Sequence, residues 1–515
     1  MLIVLIVLSA VVYISSTITV IRWNDPAGYT YAGRRIAETG QPTYYDANNI
    51  RIGPYFTLHA FKVRQNQSGG NFYLNYSVGL PMLIALADLI YPVPKAEFYV
   101  VPALGVMGLI ALFALGRILF GRWVGLVASG LMAFNFVYWF GSTENWSDVP
   151  AVAFLLAGIV FLLHAARRDS YWQGLLGGLS LGYACLIRYF SVLAVIPLGL
   201  YLLVVTLGKK KTYRGLAGLV TGLGLMAAVI LVYNACVFGG AFQTGYSPQH
   251  GWVPWTAFSW RNFLGQSPIR SGGYRAVLSA LWANFHIGLL PAFLGFLIMP
   301  RSKGLLLGGN VVIVCGSYAF YLWPPSDLGA RFLLFAFAML CLAIAFAIVR
   351  ALDLLLKGRS YLFGVVIFFI ILAWHGPGFS ASQEKLAIRN AQGEAIVSLV
   401  KGLISATEPN AVLLSHVYHD IIILYGKRSA LYYELLAPPD PVSQDYEVAD
   451  YEPQLVAVMD KLLRSRTPVY VVKEPKELSF RQGPLDPYPV LRAHFELVQV
   501  WSDPPVYRVL SYLEP

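Results

Sequence analysis

Long apolar runs separated by short polar segments dominate the first 379 residues of the chain. A membrane-spanning helix needs about 20 mostly apolar residues, and runs close to this length recur throughout the segment. The predicted spans are residues 1–21, 97–116, 124–140, 149–166, 172–187, 189–208, 215–236, 276–298, 304–322, 331–349 and 360–375. The pattern therefore predicts a polytopic α-helical membrane protein with about 11 spans.

The hydrophobic pattern changes after residue 379. Residues 383–406 predict an amphipathic helix and residues 452–466 a second helix. AVLLS and PVYVVK predict strands, and FELVQVW followed by VYRVLSY predicts a closing hairpin. We therefore expect two domains, a transmembrane domain over residues 1–379 and a small α/β domain over residues 380–515.

Composition and charge support a membrane protein and exclude nucleic acid as a partner. Of the 515 residues, 57% are hydrophobic and 13% charged, whereas soluble proteins carry roughly 25% charged residues. The net charge of +11 arises in residues 1–379, which hold +15, while residues 380–515 hold −4. Short cytoplasmic loops of membrane proteins carry such an excess of Lys and Arg.

The basic clusters predict the orientation of the chain. They are Arg117 with Arg122, Arg167 with Arg168, Lys209–Lys211 with Arg214, Arg301 with Lys303, and Arg350 with Lys357 and Arg359. All are cytoplasmic if residues 76–92 form a juxtamembrane or re-entrant helix inside a long first outer loop, residues 22–96. Counting 76–92 as a full span would instead make residues 22–75 cytoplasmic. We favour the first arrangement, with the C-terminal domain on the extracytoplasmic side.

Two carboxylates stand at predicted membrane boundaries, Asp25 after the first span and Asp148 before the fourth. Ionisable groups at membrane depth are costly and are functional candidates by default. If they face one cleft, the pair could deprotonate an acceptor hydroxyl or amine, or hold a divalent cation. The alternative is that each residue only caps the helix that follows it.

Several motifs together resemble the GT-C glycosyltransferases over about residues 1–350. Asp25 is followed by Tyr29 and by AETG, which ends at Gly40. STENWSD supplies Asp148 as a second acid, GGLSLGYACLIRY ends near Arg188, and GARFLLFAFAML contains Arg331. The resemblance is nearest to the branch that holds protein O-mannosyltransferases and the aminoarabinose transferases that modify lipid A.

This resemblance implies transfer of a sugar from a polyprenyl or dolichyl phosphate to a lipid, glycan or protein acceptor, with inversion at the anomeric carbon. Asp25 would activate the acceptor and Asp148 would help to orient it. Arg331 and Arg188 would bind the donor phosphate, and the substrate-binding candidates are Tyr29, Tyr76 and Glu144. Many relatives carry a Lys-Pro pair where this chain reads NYSVGLP, so Arg34, Arg35 or Lys62 would replace that lysine. No metal ligands are assigned, and a role for magnesium or manganese stays open.

The sequence supports alternative functions and further candidate sites less well. A transporter or lipid flippase is the main alternative function, but the chain shows no internal repeat and few mid-span charges. A non-enzymatic membrane scaffold is a further alternative. His416, His419 and Asp420 suit the start of a helix better than a metal site, and Trp252, Trp255 and Trp260 could either stack on a sugar or anchor at the membrane interface.

Overall fold

The structure is a computed structural model. It describes residues 1–21, 23–64, 70–91, 95–206, 213–247, 258–264, 273–321, 327–356, 384, 386–415, 418–436, 448–473, 487–502 and 504–513. The predicted span 360–375 and the residues His416, Trp252 and Trp255 lie outside these ranges. The chain divides into two compact units. Unit 1 is Met1–Thr19, Ser77–Ala235 and Trp255–Ala387, and unit 2 is Val20–Tyr76, Cys236–Pro254 and Ile388–Pro515.

Unit 1 is helical. Its α-helices are Leu2–Ser15, Gly79–Ile90, Val100–Phe120, Arg122–Ala133, Phe136–Gly141, Asp148–Arg168, Tyr171–Ile187, Val192–Thr206, most of Tyr213–Phe238, Trp260–Phe263, Gly273–Phe285, Leu289–Ile298, Arg301–Ala319 and Leu334–Leu356. Short 3-10 helices cover Ala96–Tyr99, Tyr189–Ser191, His286–Gly288 and Asp327–Leu333. Every predicted span that falls within the described ranges contains helix.

Among the described residues, five helices are long and apolar enough to cross a membrane. They are Ala96–Phe120, Asp148–Arg168, Tyr213–Phe238, Gly273–Ile298 and Gly329–Leu355. Shorter apolar helices occur as well, among them Leu2–Ser15 and Gly79–Ile90. The helix Gly79–Ile90 lies within residues 76–92, where the sequence predicts a separate short helix.

The predicted span over residues 124–140 consists of two helices. The first helix ends at Ala133, and a new one starts at Phe136. Asn135 is the reason, because its side-chain oxygen accepts hydrogen bonds from the backbone N–H groups of Val137 and Tyr138, at 3.1 and 3.2 Å. An asparagine that caps a new helix in this way ends the previous one.

Glycines bring the helices that carry the site close together. A Cβ placed on Gly158 would lie 2.7 Å from Leu181, and one on Gly178 would lie 2.4 Å from the carbonyl oxygen of Leu219. Small residues at such crossings let membrane helices pack backbone to backbone. The helix Tyr171–Ile187 is therefore held on two sides, and its C-terminal end positions Arg188.

The described residues of unit 2 form two sheets. The strands β1 (Thr43–Tyr45), β2 (Val63–Arg64) and β3 (Asn71–Tyr73) form an antiparallel sheet in the order β1-β3-β2. The strands β4 (Val412–Leu414), β5 (Ser429–Ala430), β6 (Val469–Val472), β7 (Phe495–Ser502) and β8 (Pro505–Tyr512) form a five-stranded sheet in the order β5-β4-β6-β8-β7. The helices of unit 2 are Asn24–Thr39, Asn48–Arg51, residues 386–405, His419–Gly426, Val448–Arg464 and Pro487–His494. The predicted strands at 411–415 and 468–473 and the antiparallel hairpin β7–β8 are confirmed.

The hydrophobic core of unit 2 combines residues from distant parts of the chain. Ile52 and Phe56 are buried in one cluster with Val412, Leu414 and Leu431. Residues 52–56 and the C-terminal segment therefore share one core. The division of the chain at residue 380 stays a prediction.

Candidate active site

A buried carboxylate between two arginines is the main polar feature of unit 1. Asp148 is 4% exposed. Its Oδ1 pairs with Nη1 of Arg188, and its Oδ2 lies 3.4 Å from Nε of Arg331. The three side chains together carry one formal positive charge, so the cluster favours an additional anion.

Each member of this cluster stands at the end of a structural element. Asp148 lies in the first turn of the helix Asp148–Arg168, where the helix dipole stabilises a negative charge. Arg188 follows the last turn of the helix Tyr171–Ile187 with extended backbone angles. Arg331 lies in the 3-10 helix Asp327–Leu333, directly before the long helix Leu334–Leu356.

Aromatic rings enclose the two guanidinium groups. Cζ of Arg331 lies 3.7 Å from the ring centre of Trp146, and both arginines lie 5.1 Å from the ring centre of Phe332. Tyr318 stacks on Phe332 at 5.2 Å, and its hydroxyl accepts a hydrogen bond of 3.2 Å from Nη2 of Arg188. Stacked and hydrogen-bonded guanidinium groups keep a fixed orientation, which suits bidentate binding of a phosphate.

Glu144 supports this cluster through Trp146. The indole N–H of Trp146 donates a hydrogen bond of 2.9 Å to Oε2 of Glu144, and Glu144 is 2% exposed. Glu144 therefore orients the ring on which Arg331 stacks. Sequence analysis proposed Glu144 as a substrate-binding residue, and that role stays a prediction.

Asp25 belongs to unit 2 and lies in the first turn of the helix Asn24–Thr39. Its Oδ1 accepts a hydrogen bond of 2.7 Å from the hydroxyl of Tyr76. The ring of Tyr76 contacts that of Tyr29 at 5.4 Å and stacks on that of Tyr246 at 6.2 Å. Burial and the negative charge of Asp25 raise the pKa of the Tyr76 phenol well above its ordinary value, so the phenol keeps its proton and remains a donor to Asp25.

The structure thus groups the predicted site residues into two sets. Asp148, Arg188, Arg331 and Glu144 are in unit 1, while Asp25, Tyr29 and Tyr76 are in unit 2. Sequence analysis missed Trp146, Tyr318, Phe332 and Tyr246. The chain contains 74 Phe, Tyr and Trp residues, so no spacing signal distinguishes these four from the others.

The three alternative phosphate-binding candidates also lie in unit 2. Nη1 of Arg35 pairs with Oε2 of Glu38 at 2.8 Å, and its Nε donates to the carbonyl of Thr43 at 3.3 Å. Lys62 lies 5.5 Å from the ring centre of Tyr432. Arg34 is half-buried on the same helix as Arg35. Arg35 is thereby engaged by its own helix, and a phosphate-binding role for these residues stays a prediction.

The surroundings of Asp148 do not fit a divalent cation, because both carboxylate oxygens face guanidinium groups. Within the described part of the chain, no group of three or more His, Cys, Asp and Glu side chains could hold a metal ion.

One segment of the chain matches a known protein family, and the whole fold is similar to solved structures. Residues 79–233 match the family model of dolichyl-phosphate-mannose-protein mannosyltransferase. A sequence search of curated proteins finds no match for this chain. Among solved structures, the chain is similar to ArnT from Cupriavidus metallidurans bound to undecaprenyl phosphate, with a TM-score of 0.61, 12% identity, and coverage of 98% of this chain and 97% of that chain. The apo state of the same ArnT gives a TM-score of 0.63 at 13% identity, with the same coverage.

A second group of solved structures shares the architecture. The archaeal oligosaccharyltransferase AglB from Archaeoglobus fulgidus, in complex with an inhibitory peptide and a dolichol-phosphate, has a TM-score of 0.51 at 12% identity. That match covers 100% of this chain and 74% of AglB. The chain has a GT-C fold. This confirms the GT-C resemblance predicted from the sequence. The segment 79–233 that matches the family model contains Asp148, Arg188 and Glu144. Asp25, Tyr76 and Arg331 lie outside that segment.

Proposed function

We propose that this GT-C chain is an integral-membrane glycosyltransferase that moves a sugar from a polyprenyl phosphate to an acceptor. The observation that carries the proposal is the cluster of Arg188 and Arg331 around Asp148. The cluster presents two oriented guanidinium groups with one excess positive charge. The mannosyltransferase family match and the GT-C fold support the reaction class.

The arginines are suited to the leaving group of this reaction. A polyprenyl-phosphate sugar is a phosphodiester with one negative charge, and the polyprenyl phosphate that leaves is a monoester with up to two. Negative charge therefore grows on the phosphate oxygens as the anomeric C–O bond breaks. Fixed guanidinium groups stabilise this charge more in the transition state than in the bound donor, and such differential stabilisation accelerates the reaction. Asp148 acts by holding both guanidinium groups in position.

Asp25 is the proposed base for the acceptor. Tyr76 fixes one carboxylate oxygen, so the carboxylate keeps a defined orientation. As the acceptor oxygen or nitrogen attacks the anomeric carbon, Asp25 takes its proton. The new bond forms on the face opposite the departing phosphate, which inverts the anomeric configuration.

We also propose the finer membrane arrangement predicted from the sequence, with about 11 spans and with the C-terminal α/β region outside the cytoplasm. Nη2 of Arg167 donates a hydrogen bond of 2.8 Å to the carbonyl of Ile118, and Nζ of Lys303 bonds the carbonyl of Leu119. Basic residues thus collect where the helix Val100–Phe120 ends, and Arg167 stands at the opposite end of its own helix from Asp148. Basic ends tend to face the cytoplasm, which supports the proposal that the Asp148 cluster lies on the extracytoplasmic side.

This orientation can be tested by labelling intact cells with a membrane-impermeant maleimide. In a background with the four cysteines replaced by serine, we expect labelling of Glu496→Cys and protection of Arg301→Cys until the cells are opened. Both positions are exposed in the structure. The reverse pattern would overturn the orientation.

Sugar transfer tests the function. The purified chain in lipid nanodiscs is incubated with a panel of radiolabelled undecaprenyl-phosphate sugars (mannose, glucose and aminoarabinose) and with membranes as the acceptor source. We expect transfer from at least one donor, and loss of that transfer in Asp25→Asn. Glu38→Gln is the matched control because it removes an exposed carboxylate from the same helix.

The outcomes separate the hypotheses. Equal transfer by wild type and by folded Asp25→Asn would remove Asp25 from the chemistry. Absence of transfer with every donor, together with movement of labelled undecaprenyl phosphate between leaflets, would favour a flippase. We propose a lipid-linked donor because the structures of ArnT and AglB contain undecaprenyl phosphate and a dolichol-phosphate, respectively.

A further inference from the structure

A second group of buried polar residues lies in unit 2. The Oδ1 atom of Asp420 accepts a hydrogen bond of 3.0 Å from the backbone N–H of His59, and it lies 3.0 Å from Nδ1 of His419. Nδ1 of His59 lies 2.6 Å from the hydroxyl of Tyr432. The ring of His419 stacks on that of Tyr432 at 5.2 Å. Asp420 is 7% exposed, so these bonds are shielded from water and hold the loop around His59 firmly.

The loop held by this cluster packs against the helix that carries Asp25. Ala60 lies so close to Gly28 that a Cβ on Gly28 would come within 2.2 Å of the Cβ of Ala60. Gly28 is about one helical turn after Asp25. A shift of Ala60 therefore moves the first turn of the helix Asn24–Thr39.

The same loop also reaches the partner of Asp25. The backbone N–H of Asn75 donates a hydrogen bond of 2.8 Å to the carbonyl of Ala60, and the next residue is Tyr76. Gly245 packs on the backbone of Asn75, and the neighbouring Tyr246 stacks on the ring of Tyr76. The loop therefore packs on the helix that carries Asp25 and bonds the residue directly before Tyr76.

We propose that Tyr432 and Asp420 are positioning residues for the acceptor base, acting through His59 and Ala60 on the Tyr76–Asp25 pair. The inference rests on the proposed function of Asp25. Tyr432 and Asp420 belong to the C-terminal segment, whereas Tyr76 and Asp25 belong to residues 22–96. The inference therefore also gives the C-terminal segment a part in the reaction. Small misplacements of a catalytic group can cost up to about 100-fold in rate, and we expect Tyr432→Phe to lower kcat about tenfold.

The kinetic test uses the full-length chain in nanodiscs with the undecaprenyl-phosphate sugar that the wild type transfers. Tyr432→Phe should lower kcat and leave the Kd for undecaprenyl phosphate unchanged, because the donor phosphate site is a separate set of residues. Tyr470→Phe is the matched control. Tyr470 lies in the same unit, but its hydroxyl donates a hydrogen bond to Glu408 and not to His59. Its replacement should therefore leave kcat at the wild-type value.

Two further comparisons distinguish positioning from a general loss of stability. Replacement of His59 by Asn keeps a hydrogen-bonding atom near the place of Nδ1 and should retain most of kcat, whereas His59→Leu should not. Tyr432→Phe combined with Tyr76→Phe should be no slower than Tyr76→Phe alone, because both changes act on one hydrogen bond. Multiplying losses, or an equal loss in Tyr470→Phe, would overturn the proposal.

Hydrogen exchange gives a readout that needs no turnover. Backbone amides of residues 72–78 should exchange faster in Tyr432→Phe than in wild type or Tyr470→Phe. Unchanged exchange in that peptide would overturn the inference whether or not transfer is detected. Faster exchange in a chain that transfers no sugar would instead contradict the proposed function and leave the coupling of Tyr432 to Tyr76 standing.

Discussion

Replacing Arg331 by Gln should weaken binding of undecaprenyl phosphate strongly while leaving the fold intact. The side chain of Arg331 is 14% exposed, lies 3.4 Å from Asp148 and is stacked on Trp146. A hydrogen bond between charged groups contributes about 1.5–3 kcal/mol, and each 1.4 kcal/mol changes Kd about tenfold. We therefore expect the Kd for undecaprenyl phosphate to rise about 10- to 150-fold.

Stability should change little in the same variant, because Asp148 keeps its partner Arg188 and no buried charge is left unpaired. By contrast, Asp148→Leu should be strongly destabilising, since breaking a buried ion pair costs about 3–5 kcal/mol. Arg331→Lys should give an intermediate Kd, because lysine keeps the charge and loses the planar fork that stacks on Trp146.

The assay is thermophoresis of the purified chain with undecaprenyl phosphate, and with undecaprenol as the ligand that lacks the phosphate. Arg275→Gln, at an exposed arginine of unit 1, is the control. Weaker binding of the phosphate and unchanged binding of the alcohol would support the reasoning. If folded Arg331→Gln binds undecaprenyl phosphate as tightly as wild type does, Arg331 does not contact the donor phosphate.

Three further predictions concern stability and can be followed by thermal unfolding in detergent. Gly79→Ala should destabilise the chain by about 1–3 kcal/mol, because the new Cβ would lie 2.6 Å from a backbone nitrogen. Gly199→Ala is the control and should not destabilise the chain in this way, because its Cβ would meet nothing within 4 Å. Equal effects of the two substitutions would contradict the close packing at Gly79. Asn135→Ala should cost about 1 kcal/mol through the lost helix cap, and an unchanged midpoint would mean that the cap contributes little. The hydrogen bond from Tyr470 holds the pKa of Glu408 below its ordinary value. The stability that Glu408 adds is therefore present at neutral pH and is lost as pH falls through the lowered folded-state pKa. The unfolding midpoints of wild type and Glu408→Gln should differ at pH 7 and converge in acid, and a constant difference would contradict this assignment.

The sequence indicates the helices and the main polar residues because each follows from local information. Apolar runs predict the helices, and Asp25, Asp148, Arg188 and Arg331 attract attention because charges are rare beside such runs. Their pairing is not local. Asp148 and Arg188 are 40 residues apart, and nothing in the spacing indicates that Asp148 lies between two arginines.

Three other features are not indicated by the hydrophobic pattern. The break at Asn135 leaves the hydropathy pattern continuous, since a single capping side chain produces it. The strands β1, β2 and β3 are only two or three residues long and show too little alternation for a strand prediction. The sequence predicts that His419 and Asp420 begin a helix, which is confirmed. The hydrogen bond between Asp420 and His59, by contrast, joins parts of the chain 361 residues apart.

The shared core of unit 2 has a consequence for biosynthesis. Ile52 and Phe56 are made early, whereas Val412 and Leu414, against which they are buried, leave the ribosome only after the intervening helices. At about 5–20 residues per second, this interval is on the order of 20–70 s. During that time the segment around Ile52 and Phe56 lacks the apolar partners that complete its core. The core of unit 2 can therefore form only late in synthesis, after its C-terminal strands have left the ribosome.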